Sequence, residues 1–246
     1  DWHVRAHPDR VHVVHLGDSD ETNIGYGDLH RQVDLVAAGL QREGLEPRQT
    51  VAIMLPTSPE YFHTFFGILR AGGIPVPIYP PAHLSQLEEH VRRHAGILSN
   101  AEASILVTVP EARGVARLLE ARVAGLRRVV TVAELTDKAG APLAVPIRQD
   151  DIAFIQYTSG STGDPKGVVF QNARFGAFAM LSALFGYRPD DRPYTGLSLT
   201  HGNAQAVTLG PSLSMGLRAV FSRRFTKSRL WDVCRLHGCT TFSLLG

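Results

Sequence analysis

Cysteine is nearly missing from this chain of 246 residues, which contains only Cys234 and Cys239. Two thiols do not make a disulfide scaffold, and a reducing, cytoplasmic setting is the expectation that follows. With His237 they also fall short of a metal site, because no neighbour supplies a fourth ligand. A helix over Ser228–His237, stopped by Gly238, with Cys239 entering a strand, accounts for all three. Long apolar runs are missing too. The greasiest stretch, Phe175 to Tyr187, is bracketed by Arg174 and Arg188 and is too short to cross a bilayer. The opening Asp1-Trp2-His3 lacks the basic-then-apolar order of a signal peptide, so none is expected. Charge of one sign is also lacking: 25 basic against 23 acidic residues leave a formal +2. So even a balance argues against nucleic acid or a membrane surface as the partner. Four histidines stand near the start, but His3, His7, His12 and His15 fall on a turn and an alternating strand with no shared face. They read as surface residues.

What is present is an ordinary globular composition, 44% hydrophobic and 20% charged. Strand and helix patterns alternate. Val11–Val14 reads as a strand. Tyr26–Arg42 reads as a helix with Leu29, Val33, Val36 (or Ala37) and Leu40 on one face, stopped by Gly44. Strands are predicted at Val51–Leu55, Ile74–Ile78, Ile105–Val109 and Arg128–Val132. Helices are predicted at Glu60–Arg70, Leu84–Asn100 and Ala112–Ala124. This order predicts an α/β fold with mostly parallel sheets flanked by helices. Asp137–Ile147, with Gly140, Pro142 and Pro146, reads as a connecting loop. Residues 1–136 then form a first half, 137–150 the connection and 151–246 a second half. That second half holds a strand at Ile152–Tyr157, a short strand after a Gly/Ser/Thr loop, a helix over Ala173–Leu184 and a strand over Cys239–Leu245. The sequence stops at Gly246 without a closing element and reads as an interrupted chain.

The chemistry concentrates in Tyr157-Thr158-Ser159-Gly160-Ser161-Thr162-Gly163-Asp164-Pro165-Lys166-Gly167-Val168. Glycines let backbone N–H groups approach an anion closely, hydroxyls add short donors, and Lys166 adds a positive charge. Together these suit a triphosphate. Pro165 occupies the place where a Walker A loop needs glycine before its lysine, and no acidic Walker B strand stands out, so a P-loop NTPase is disfavoured. The expected geometry is strand–loop–strand.

This segment resembles the signature loop of the adenylate-forming superfamily, which includes acyl-CoA synthetases, peptide-synthetase adenylation domains and luciferases. Two earlier segments are similar to further motifs of that superfamily. They are Tyr26-Gly27-Asp28-Leu29 and Leu69-Arg70-Ala71-Gly72-Gly73-Ile74-Pro75-Val76-Pro77. The resemblance covers essentially the whole chain. It implies that Thr158, Ser159, Gly160, Ser161, Thr162, Gly163 and Lys166 contact the phosphates of ATP, with Thr158 and Lys166 as the catalytic pair. It also implies that Thr158 can ligate Mg²⁺.

A later hallmark of the family is matched by Ser198-Leu199-Thr200-His201-Gly202-Asn203-Ala204-Gln205. His201 keeps the place that lines the acid pocket, whereas Ser198, Thr200 and Ala204 depart from the pattern. Asn172 stands where the family mostly has histidine. Gln205 is similar to the carnitine/crotonobetaine-CoA ligase branch. Ile78-Tyr79-Pro80-Pro81 and the Leu87–His94 stretch resemble fatty-acyl-AMP ligases.

The implied activity is ATP-dependent conversion of a carboxylic acid to acyl-AMP, followed by thioester formation with coenzyme A. Loading of an acyl carrier protein, or a non-catalytic nucleotide- or acyl-binding module, are the other readings. The family's adenine segment, acidic Mg²⁺ ligand, ribose aspartate and C-terminal lid are not in the sequence. The expectation is therefore that residues 1–246 alone do not adenylate.

Overall fold

The computed structural model describes residues 2–80, 87–137, 140–158 and 165–243. Its backbone contacts divide the chain into two compact units that do not follow chain order. One gathers residues 1–31, 56–59 and 173–246; the other holds 32–55 and 60–172.

In the first unit, strands β1 (Val11–Leu16), β2 (Glu21–Gly25), β9 (Pro193–Thr195), β10 (Ala219–Ser222) and β11 (Thr241–Ser243) form one sheet, ordered β11-β9-β10-β1-β2. All neighbours are parallel except the β1–β2 hairpin. Helix Leu230–His237 covers one face, where Leu230, Val233 and Cys234 cluster with Val14, Tyr194 and Val220.

The second unit carries β3 (Thr50–Met54), β4 (Ile74–Pro77), β5 (Ile105–Thr108) and β6 (Arg128–Thr131), ordered β4-β3-β5-β6 and wholly parallel. The two central strands β3 and β5, with β4 beside them, are buried at every position, as parallel strands covered on both faces must be. Ala52, Met54 and Leu106 face helices Leu87–Asn100 and Arg113–Arg122 through Val91, Ile97, Leu98, Ala116 and Leu119. Helices Tyr26–Arg42 and Pro59–Arg70 meet each other where Val36 lies over Gly67. An antiparallel pair, β7 (Ile152–Thr158) with β8 (Lys166–Gln171), completes the unit.

The Ala71-Gly72-Gly73 motif has a structural cause. Gly72 N–H bonds Leu69 O at 3.0 Å and Gly73 N–H bonds Ile68 O at 2.9 Å, a Schellman closure of helix Pro59–Arg70. Gly72 has φ +78°, and a Cβ there would lie 2.6 Å from Val145 Cγ1. Gly72→Ala is expected to cost about 2 kcal/mol from left-handed strain and crowding combined. Urea unfolding of the two proteins measures it.

Several expectations need correction. His12 and His15 are not surface residues: they are 1% and 4% exposed. Strand β1 lies between β10 and β2 and is covered on both faces, so both its polar side chains face protein and bond carbonyls. The ring of His12 bonds Leu217 O at 3.0 Å, and that of His15 bonds Thr57 O at 3.0 Å. His3 lies in a short helix, Trp2–Ala6, rather than a turn, and its ring bonds that of His7 at 2.9 Å. The helix expected over Ala173–Leu184 breaks into Asn172–Ala177, a 3₁₀ turn at Phe178–Met180, and Leu181–Leu184. None of these pieces buries a side chain, so no packing holds one long helix together.

Candidate functional site

The segment expected to hold phosphates runs from the end of β7 to the start of β8, so both its flanks are strands. Thr158 ends β7 and is the register partner of Lys166, which begins β8. Partners in an antiparallel pair share a face, so the hydroxyl and the ammonium project from the same side of the hairpin mouth. Both residues are exposed. Ser159, Gly160, Ser161, Thr162 and Gly163 lie outside the described residues.

Two neighbours anchor this mouth. Tyr157 pairs with Gly167, and a Cβ on Gly167 would lie 3.1 Å from Tyr157 Cζ and 3.0 Å from Ile155 Cγ2. The tyrosine ring therefore lies across the glycine, and any side chain at 167 would displace it. Tyr157 Oη donates to Asn100 Oδ1 at 2.5 Å, at the end of helix Leu87–Asn100. Burial raises the Tyr157 pKa, so the phenol stays protonated and remains a donor. Deeper in the hairpin, Phe154 stacks on Phe170 at 4.5 Å and meets Phe65 edge-on at 5.8 Å. Asn172 follows β8, and its side chain donates to Arg148 O at 2.8 Å. This is a loop tie with Asp151, whose carboxylate accepts the Arg148 N–H at 2.8 Å and pairs with Arg48 at 2.9 Å.

His201 belongs to the first unit and is described by itself. It closes a turn in which its N–H bonds Ser198 O at 2.9 Å. Ser198 and Thr200, which depart from the family pattern, share a 2.8 Å hydroxyl contact, and Thr200 N–H reaches Ser198 Oγ at 3.3 Å. Hydroxyls thus fix this turn locally. The His201 side chain reaches solvent, while partial desolvation by the surrounding protein lowers its pKa. That desolvation disfavours the imidazolium and favours the neutral, hydrogen-bonding ring.

Directly after the turn, Ala204–Leu209 winds as a π-helix before α-helix Gly210–Met215, and Gly210 N–H reaches back to Gln205 O. Such widened turns are rare and frequent at functional sites. Sequence reading missed two contributors to this region, Thr57 and the widened helix. Thr57 reaches this region from a turn 142 positions away, and no pattern in either segment marks that contact. Nothing local marks the second.

Among the described residues no cluster of three or more histidine, cysteine or acidic side chains is placed to hold a metal ion. Among the described residues no helix is long and apolar enough to cross a membrane.

A feruloyl-CoA synthase from Amycolatopsis sp. is 30% identical over 224 residues, 90% of this chain and 43% of the relative. Acetyl-coenzyme A synthetase 2 of Kluyveromyces lactis is 26% identical in a match that covers 98% of this chain and 40% of the relative. The chain thus spans less than half the length of these curated relatives. Among solved structures, a fatty acyl-adenylate ligase from L. pneumophila, in complex with acyl adenylate and pyrophosphate, superposes with a TM-score of 0.85 at 22% identity. That match covers 98% of this chain and 42% of the other. The o-succinylbenzoate CoA synthetase of Bacillus subtilis, in complex with its acyl-adenylate intermediate, gives 0.83 at 21% identity, covering 99% and 60%. These likenesses establish the fold, mixed α/β with parallel sheets flanked by helices. The profile of the AMP-binding enzymes matches residues 1–246 from end to end, and the chain belongs to that family.

Proposed function

We propose that the protein containing this chain uses ATP to convert a carboxylic acid to an acyl-adenylate, and then transfers the acyl group to coenzyme A. The observation that carries this is the hairpin mouth, with Thr158 and Lys166 paired and exposed on one side of a loop rich in glycine and hydroxyls, in a chain matched throughout by the AMP-binding family. Relatives that are CoA ligases point to the same acceptor. The chain is proposed to be the front of the adenylation domain, with residues 1–136 and 151–246 as its halves joined by 137–150. The longer relatives leave room for the adenine segment and lid elsewhere in the protein.

In this reading the acid's carboxylate oxygen attacks the α-phosphorus of ATP, and pyrophosphate leaves. Both reactants are anionic, so holding them together and neutralising charge is the main task. Thr158, Ser159, Gly160, Ser161, Thr162, Gly163 and Lys166 hold the phosphates of ATP. The exposed hydroxyl of Thr158 suits Mg²⁺, which keeps waters and phosphate oxygens and takes few protein ligands. When bound, the ion would screen charge on the departing pyrophosphate. His201 lines the acid pocket as a neutral donor or acceptor. A cytoplasmic setting belongs to this reading, since the chain has only two cysteines, Cys234 and Cys239.

A screen of carboxylic acids with the natural-length protein, following pyrophosphate release, tests the proposal. Release with at least one acid, and a CoA thioester as product, is expected. Transfer to a carrier protein but not to CoA would make it an acyl-AMP ligase. No release with any acid would leave a binding module. In the active enzyme, His201→Ala is expected to raise the KM of the acid by about tenfold and leave that of ATP within about twofold. Equal effects on both substrates would give His201 a structural role.

A further inference from the structure

We propose that Thr57 is a positioning residue for the acid-binding turn that ends at His201; this rests on the pocket role proposed for that histidine. Thr57 sits in the turn between β3 and helix Pro59–Arg70, far from His201 in sequence, and is 2% exposed. Its Oγ1 accepts the N–H of Leu199 at 3.1 Å. Its carbonyl accepts from His15 Nε2 at 3.0 Å, which fixes that nitrogen as the protonated one. Leu199 is itself fully buried, and its carbonyl accepts from Gln205 Nε2 at 2.8 Å.

The N–H and C=O of Leu199 are thus held by two buried side chains, from β1's neighbouring turn on one side and from the first turn of the π-helix on the other. Leu199 and Thr200 are the inner residues of the turn closed by the bond from His201 N–H to Ser198 O. Moving Leu199 therefore moves the backbone that carries the imidazole. Gln205, singled out in the sequence only as a subfamily mark, acquires a physical role as the opposing clamp. Losing the Thr57 hydroxyl would remove an acceptor from a buried N–H, and relaxation of the turn is the route by which that cost is relieved.

The test uses the natural-length enzyme with Thr57→Val, which keeps shape but removes the acceptor, and Thr57→Ser, which keeps the acceptor. Pyrophosphate exchange gives KM for acid and for ATP, and hydrogen exchange reads the amides of the 197–201 segment. Thr57→Val is expected to raise the acid's KM roughly fivefold to tenfold with ATP's KM unchanged, and to speed amide exchange at Leu199. Thr57→Ser is expected to restore both. A merely structural residue would lower the active fraction and move both substrates alike. An acid KM equal to wild type, a parallel shift in both, or no rescue by serine overturns the proposal. If the unsubstituted protein activates no acid, the functional reading has failed instead. Amide exchange at Leu199 still decides the clamp, and unchanged protection in Thr57→Val overturns it.

Discussion

Thr158→Ala is expected to lower kcat/KM for MgATP by about tenfold to a hundredfold, a larger loss than Lys166→Ala produces. The two residues face each other across the hairpin mouth, yet they hold a phosphate differently. Thr158 is the last residue of β7, a strand anchored by the Phe154–Phe170 stack and by the Tyr157–Asn100 hydrogen bond. Its hydroxyl is one bond from a fixed Cβ and loses little freedom on binding. A donor so placed is worth about 1–3 kcal/mol against a charged oxygen. Lys166 must order four side-chain torsions, at up to about 2 kcal/mol, to deliver a charge that solvent partly screens. The Thr158 defect is also expected to vary with Mg²⁺ concentration if its hydroxyl is a ligand. Pyrophosphate-exchange kinetics of both variants across a Mg²⁺ series measure this. A greater loss in Lys166→Ala, with Thr158→Ala indifferent to Mg²⁺, would make the lysine the main clamp.

The legible parts of this fold are those whose signal is local. Helix Tyr26–Arg42 is found at its predicted bounds, because Leu29, Val33, Val36 and Leu40 repeat at helical spacing and Gly44 stops it. Strands β3 and β5 are short apolar runs and were found within a residue or so. The misses are elements held by neighbours. Strands β9 and β10 have three and four residues, and β9 begins with Pro193; each is a strand because parallel partners flank it. The short helix Val132–Thr136 was readable but overlooked. Thr131 and Glu134 form a capping box, with Glu134 accepting the Thr131 N–H at 2.8 Å. At the candidate site, glycines and hydroxyls between two β runs marked the loop. The hold of Thr57 on Leu199 spans 142 positions, and no pattern within either segment announces it.

Acid is expected to destabilise both units, with the loss concentrated between pH 6.5 and 4. Burial lowers the pKa of His12 from 6.5 to about 4, and burial with His90 beside it does the same to His94. His12 donates from Nδ1 to Leu217 O, and its Nε2 is buried with no hydrogen-bond partner among the described residues. A proton on Nε2 would place an unpaired charge between β1 and its cover. His94 donates to His90 O at 2.7 Å and stacks on the His90 ring at 3.8 Å.

The unfolded chain takes up both protons near pH 6.5, while the native state refuses them until about pH 4. Stability is therefore unaffected above 6.5, falls as pH drops through this window, and is not lowered further by these groups below it. Each histidine accounts for a loss of about 3 kcal/mol when the window is fully crossed. Because His12 lies in one unit and His94 in the other, the effect is separable. His12→Gln is expected to flatten the pH dependence of amide protection in β1, and His94→Gln that in helix Leu87–Asn100. Hydrogen exchange at pH 7.5, 6 and 5, corrected for intrinsic rates, reads both. Protection in β1 that falls as steeply in His12→Gln as in the unsubstituted protein would show that another group drives the acid loss there.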